Sequence, residues 1–347
     1  MKKRLIGNKV STIVMAGLLV VPLMLCLTSF TALSADKTIN LRWTTVSTTT
    51  HPNFIVYQKW ADKINDKTNG NVRITVYPSG TLNPPFETYN AVKTGIADIG
   101  SAPVGFSASV MPLNKLFGDA IHGMDSASKA AGLWTTALTD MPELRKEFEG
   151  VHLLFVTATL PLSISCKVKI EKMEDFKGIV MRFPPGLEPL AKAWGATPIT
   201  VPTADIYVSL QKGIIKGYFA GNSLLKSMRL AEHIKYSTTF DMVFGLSWIG
   251  MNINKWESLP QDVKQVITDL APEGQRNSIK ATDDILKESM EYAIAEGVEF
   301  YEVKPAELKR FQAAGKNVFH NIANDLEKRG KPANKVLAEL ERLLAQE

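Results

Sequence analysis

What most constrains this chain is an alternation, beginning at residue 39, of short strand-like runs with segments of helical spacing. Ile39 to Val46 carries apolar residues at alternate positions, as a half-buried strand does. His51-Pro52 then opens a segment in which Val56, Trp60 and Ile64 recur every four residues, and Thr68-Asn69-Gly70 closes it with a glycine able to take the left-handed cap conformation. Val72 to Tyr77 reads as a second strand, Pro84 to Gly95 as a second helix, and Ala97 to Gly100 as a third strand running into Ser101-Ala102-Pro103. Strands separated by helices must pair in parallel through crossovers, so the front third predicts an α/β sheet. In such sheets ligands collect beyond the carboxyl ends of the strands, which makes Thr45 and Ser101 candidates by position.

The pattern restarts in the middle. Val151 to Val156 and Gly178 to Phe183 read as strands, Leu187 to Trp194 as a helix, Thr197 to Val201 as a strand, Asp205 to Lys212 as a short helix and Gly217 to Ala220 as a strand. After a further strand-like run, Phe244 to Ile253, the chain turns helical. Val263, Val266, Ile267 and Leu270 share one face, and Gln275 to Glu296 and Pro305 to Gly330 extend the helical character. A chain of 347 residues has room for two domains.

Residues 1–35 follow the three-part plan of a cleaved secretory signal: a basic start through Lys9, an apolar run from Val10 to Leu27, and small residues ending Ala32-Leu33-Ser34-Ala35. They hold four of the 40 Lys and Arg and none of the 35 acids, so the rest is balanced, 36 cations against 35 anions, without the footprint of a nucleic-acid binder. Beyond the signal Cys166 stands alone, so no internal disulfide is expected. The expected location is the periplasm.

Signatures of catalysis are missing. No two of His51, His122, His152, His233 and His320 stand at helical ligand spacing, no cysteine pair replaces them, and there is no G-x-S-x-G elbow, P-loop or G-x-G-x-x-G. The expectation is a protein without catalytic residues, metal or cofactor.

Three blocks in fixed order carry a resemblance: Glu174-Asp175-Phe176-Lys177-Gly178-Ile179-Val180-Met181-Arg182, then Trp194-Gly195-Ala196-Thr197-Pro198 with Pro202, then Asp205 to Gly213. Together with Tyr77-Pro78-Ser79-Gly80-Thr81-Leu82 and Gly95 to Gly100, they resemble the solute-binding proteins of TRAP transporters, DctP type, over most of the mature chain. The resemblance implies a two-domain periplasmic binding protein fold, type II-like, with hinge strands and a long helix spanning both domains. It divides the chain into a signal at 1–35, a first domain of 36–155 and about 248–287, and a second of 156–247 and about 288–347. It also implies a monomeric receptor that captures an organic carboxylate between the domains and passes it to TRAP membrane subunits driven by an ion gradient.

In that family an arginine ending the G-x-x-x-R strand pairs with the ligand carboxylate, and Arg182 holds the matching position. A guanidinium fork suits a planar carboxylate through two parallel charge-assisted bonds. Thr203 stands where relatives contact ligand, and Phe183, Phe219, Trp248 and Glu87 are further candidates. The sequence departs from the family in two places. Val156 to Ser165 carries no second basic residue, and the usual Val-Asp-Gly is Ile215-Lys216-Gly217, followed by an altered loop whose candidate is Asn222. One cation and several aromatic candidates favour a monocarboxylate over a C4-dicarboxylate, with Lys167 the alternative receiver of a second acid group. A ligand-sensing module for a membrane signalling protein is the alternative function.

Overall fold

The structure, a computed structural model, describes residues 38–49, 51–124 and 126–346; the expected signal segment lies outside them. The strands are β1 (Ile39–Thr45), β2 (Val72–Tyr77), β3 (Ile99–Pro103), β4 (Val151–Cys166), β5 (Val180–Arg182), β6 (Thr197–Ile199), β7 (Gly217–Ala220), β8 (Tyr236–Asn252) and β9 (Glu299–Phe300). The helices are α1 (Pro52–Lys67), α2 (Thr88–Lys93), α3 (Pro112–Ala120), α4 (Ala127–Asp140), α5 (Pro142–Lys146), α6 (Glu188–Trp194), α7 (Ile206–Gln211), α8 (Leu224–Ser227), α9 (Ile253–Ser258), α10 (Gln261–Ala295), α11 (Pro305–Glu327) and α12 (Ala333–Leu344).

The strands form one mixed sheet in the order β2-β1-β3-β8-β4-β7-β5-β6, with β9 beside β8. The expected parallel pairs are present at both ends, β1 with β2 and β3, and β5 with β6 and β7. The middle is antiparallel, β3 against β8 and β4 against β7 and β8. There β4 and β8 run to 16 and 17 residues, far beyond the expected Val151–Val156 and Phe244–Ile253, and join the two parallel halves.

Their shared ladder is broken. Ala158 faces Leu246, Pro161 faces Phe244 and Ser163 faces Thr239, so four residues of β8, 240–243, bulge opposite Leu162. Asp241 and Val243 in this bulge have φ of 51° and 64°. Aspartate tolerates that left-handed region, whereas a β-branched valine is strained there. Backbone bonds from Gly123 N to Asp241 O and from Val243 N to Ile121 O hold the bulge in place.

Three apolar cores cover the sheet. Leu41, Trp43, Ile74 and Val76 meet α1 and the start of α10 through Trp60, Ile64, Val263 and Ile267. The largest core runs from α3 and α4 to α6, α11 and α12, with α11 touching both α3 and α6 and α12 lying on α3 and α4. The third gathers Ile206, Leu210, Ile215, Tyr218 and Leu225 with Ala293 of α10. The 35-residue α10 is the expected long helix: it bonds Trp60 Nε1 through Leu270 O, Lys63 through Glu273 and Asn53 through Thr282, then reaches α8 through Ser289 and Glu288.

Gly217 shows how tightly β7 is set between its neighbours. A Cβ there would stand 2.5 Å from Ser165 O and 2.9 Å from Cys166 Cα, both main-chain atoms that cannot step aside cheaply. Gly217→Ala is therefore expected to cost about 1–3 kcal/mol of unfolding free energy, read from the urea midpoint at unchanged slope. A midpoint equal to that of the parent chain would show that the ladder accommodates the methyl group.

Candidate functional site

Arg182 is the last residue of β5, and it lies in register with Ile199 of β6 and Tyr218 of β7 at the carboxyl ends of three parallel strands. Only 7% of it is exposed. Its guanidinium donates to Val201 O at 3.2 Å, Phe219 O at 3.4 Å and Thr203 Oγ1 at 3.2 Å, all uncharged acceptors. No carboxylate forms an ion pair with it among the described residues, and burial holds its pKa below the usual guanidinium value. An arginine is still charged near neutrality under that pressure. The site thus presents a buried cation with no counter-charge of its own, an arrangement that favours any anion able to reach it.

Asn222 follows Gly221, two residues beyond the end of β7. The Ser237 hydroxyl donates to its Oδ1 at 3.0 Å, and Ser165 Oγ stands 3.4 Å from the same oxygen and 3.1 Å from Ser237 Oγ. The main-chain oxygen of Asn222 accepts from Ser289 Oγ of α10 at 2.7 Å. With Oδ1 engaged on one side, the amide NH2 is the half left to bind a ligand.

Gly221, Asn222, Ser223 and Leu224 form one side of a cavity of about 500 Å³. Its floor is the bulged stretch of the hinge pair, Thr159 to Ser163 of β4 with Thr239, Asp241 and Gly245 of β8. Met124 closes one edge, and Thr282, Leu286 and Met290 of α10, spaced four apart on one helix face, form a wall. Most of this surface is apolar, and the volume is that of a small-molecule site.

The candidates from sequence therefore separate. Arg182 and Thr203 are bonded to each other and the main chain of Phe219 joins them, but neither lines the cavity, where Asn222 alone of the sequence candidates stands. The rings of Phe183, Phe219 and Trp248 are given to the core: they are 0%, 1% and 0% exposed, the first two packed on Trp194 and the third between Tyr89 and Phe148. Thr45 accepts from Ser47 N, Ser101 accepts from Trp43 Nε1 at 3.1 Å, and exposed Glu87 accepts from Asn90; none of the three lines the cavity. Lys167 spends its ammonium on Leu210 O at 2.7 Å. Asp241, Met124 and the α10 wall were missed. The spacing of Thr282, Leu286 and Met290 was a usable signal, as was an aspartate interrupting Phe240-Met242-Val243-Phe244.

Among the described residues no three His, Cys, Asp or Glu side chains group as a metal site would require, and no helix is long and apolar enough to cross a membrane. Buried Cys166, whose thiol pKa burial raises, is poorly suited to nucleophilic chemistry.

Residues 44–325 match the family model of bacterial extracellular solute-binding proteins, family 7, the DctP model. The chain belongs to that family. A TRAP periplasmic solute-binding protein of Desulfovibrio salexigens, 27% identical, superposes with a TM-score of 0.79 over 88% of this chain and 95% of its own, and its crystal holds the C-terminus of a symmetry mate in the ligand site. A TRAP solute-binding protein of Rhodoferax ferrireducens, solved with copurified benzoate, is 21% identical and superposes with a TM-score of 0.79 over 89% of this chain and 98% of its own. An uncharacterized protein of Haemophilus influenzae is 24% identical over 219 residues, which span 61% of this chain and 65% of that one. The α/β fold with its hinge strands and long helix is thus that of the two-domain TRAP solute-binding proteins, as the motif resemblance implied.

Proposed function

We propose that this DctP-family protein is a periplasmic receptor that binds a monocarboxylate in the cavity over β4 and β8, with Arg182 and Asn222 holding the carboxylate, and delivers it to TRAP membrane subunits. The observation that carries this reading is the buried Arg182 guanidinium, bonded only to neutral acceptors at the carboxyl ends of β5, β6 and β7. A ligand carboxylate would supply the missing charge through a paired fork, and the Asn222 amide would donate to the same group. Thr203 would hold the guanidinium in aim. Release and capture would follow from relative motion of two lobes joined through the broken ladder of β4 and β8, with α10 bending along.

The apolar wall supports an acid with an aromatic or branched body, since burial contributes roughly 25 cal/mol per Å² of such surface. The benzoate-bound relative supports the same class. The described residues of the lining hold no cation, so Arg182, which stands outside it, is the one cation this reading supplies, enough for a single carboxylate. A thermal-shift and calorimetric screen of the mature chain tests this. Aromatic or branched monocarboxylates are expected to raise the melting temperature and to bind at micromolar concentration. Micromolar binding of succinate or malate, with no response to any monocarboxylate, would overturn the reading.

A further inference from the structure

Asp241 is the one ionisable residue among the described residues that line the cavity. It sits where the β8 bulge turns through a positive φ, and its main chain is fixed from both sides, its N–H donating to Thr239 Oγ1 at 3.1 Å and its carbonyl accepting from Gly123 N at 2.9 Å. Among the described residues no lysine, arginine or histidine pairs with it. The Thr239 hydroxyl helps to hold its charge, but burial and the nearby Glu302 carboxylate both work against ionisation and raise its pKa. This half-buried carboxylate shares a mostly apolar lining with Leu160, Leu162 and Leu286 and lacks the partner that charges withdrawn from water ordinarily have.

We propose that Asp241 sets the selectivity of the cavity: it favours acids whose far end carries a hydrogen-bond donor, a hydroxyl or an ammonium group, and rejects those whose far end carries a second carboxylate. The inference rests on the reading of the cavity as the acid-binding site. Arg182 stands outside the lining, tied through Phe219 O to the β7 chain that runs on to Asn222, and in that reading it draws the ligand's carboxylate. Asp241 is in the lining itself, where a negative charge without a partner accepts a donor and repels an anion. Selectivity built from an attractive and a repulsive element together is stronger than either alone, because a wrong ligand both loses a bond and meets a like charge. Removal of the charge therefore relaxes the choice without removing the site. A neutral side chain at 241 would admit a dicarboxylate and would lose the preference for an ammonium.

The test uses two series of acids that differ in one group: butanoate, 4-hydroxybutanoate, 4-aminobutanoate and glutarate, and benzoate, 3-hydroxybenzoate, 3-(aminomethyl)benzoate and isophthalate. Each is titrated calorimetrically into the mature chain and into Asp241→Asn, Asp241→Gly and Arg182→Ala. Asparagine and glycine both accept the positive φ, so the fold has no reason to fail in either variant, and thermal melting checks that it does not. In the parent chain the donor-bearing acids are expected to bind at least about tenfold tighter than the matching dicarboxylate. In both variants at 241 that ratio is expected to fall by about tenfold, with the aminated acid losing most. Unchanged ratios in both variants, alongside a loss of binding in Arg182→Ala, would overturn the role of Asp241 and leave the site standing. Absence of any Arg182-dependent acid binding in either series would overturn both.

Discussion

Arg182→Ala is expected to weaken acid binding by about 2–5 kcal/mol, roughly 30-fold to several thousandfold, while leaving the ligand-free protein no less stable. The two halves of this expectation have one cause. In the ligand-free chain the guanidinium is taken out of water against three neutral oxygens, Val201 O, Phe219 O and Thr203 Oγ1, which replace hydration but supply no opposite charge. Truncation removes that uncompensated burial together with the bonds, and the terms oppose each other. In the complex the same guanidinium would face a carboxylate, and truncation would leave that anion desolvated and unpaired. Arg182→Lys should recover only part of the affinity, because an ammonium cannot form the planar fork. Calorimetry and urea unfolding on the same preparations check both halves. Affinity that survives in the alanine variant, with folding intact, would remove Arg182 from the site; a large fall in ligand-free stability would make it a structural arginine.

Arg182 was singled out in the sequence by the ordered motifs around it; its strand-end position alone reads as that of a surface arginine, and its burial against three neutral acceptors was not legible there. The short parallel strands were legible from local pattern: β1, β2, β6 and β7 are bounded by turn residues and keep their patterning to the end. The hinge pair was not. Only Val151–Val156 and Phe244–Ile253 read as strand, since period-2 alternation fails where Pro161 and the 240–243 bulge shift the register. That same irregular stretch forms the cavity floor, so the part of the chain that departs from regular geometry is the part closest to the proposed ligand. Helices α3, α4 and α5 also went unread, although Pro112, Ser126 and Pro142 mark their starts. The aromatic candidates failed for another reason. A strand residue faces one side or the other of the sheet, and sequence does not say which side is covered; α6 and α11 cover the side to which Phe183 and Phe219 point.

That covering makes Trp194 the residue whose loss should cost most in stability. It ends α6, is wholly buried, donates its indole N–H to Phe311 O at 3.0 Å and meets the rings of Phe183, Phe219, Phe240 and Phe311 edge-on at 4.9–6.1 Å. Trp194→Ala is expected to lower the unfolding free energy by about 3–5 kcal/mol, through the cavity left at the centre of the cluster and an orphaned main-chain oxygen on α11. The rings around it come from the residue just after β5 and from β7, β8 and α11, so no single element can move to fill the space without disturbing another. The effect should also reach the ligand. Phe183 follows Arg182 directly, and the carbonyl of Phe219 accepts from the Arg182 guanidinium, so loosening either ring disturbs the aim of the cation. Acid affinity should therefore fall several-fold in Trp194→Ala although the indole lines no part of the cavity, and combining it with Arg182→Ala should add little further loss, as coupled neighbours do. A stability loss under about 1 kcal/mol would refute the packing argument, and fully additive affinity losses would show that the aromatic cluster supports the fold without aiming the arginine.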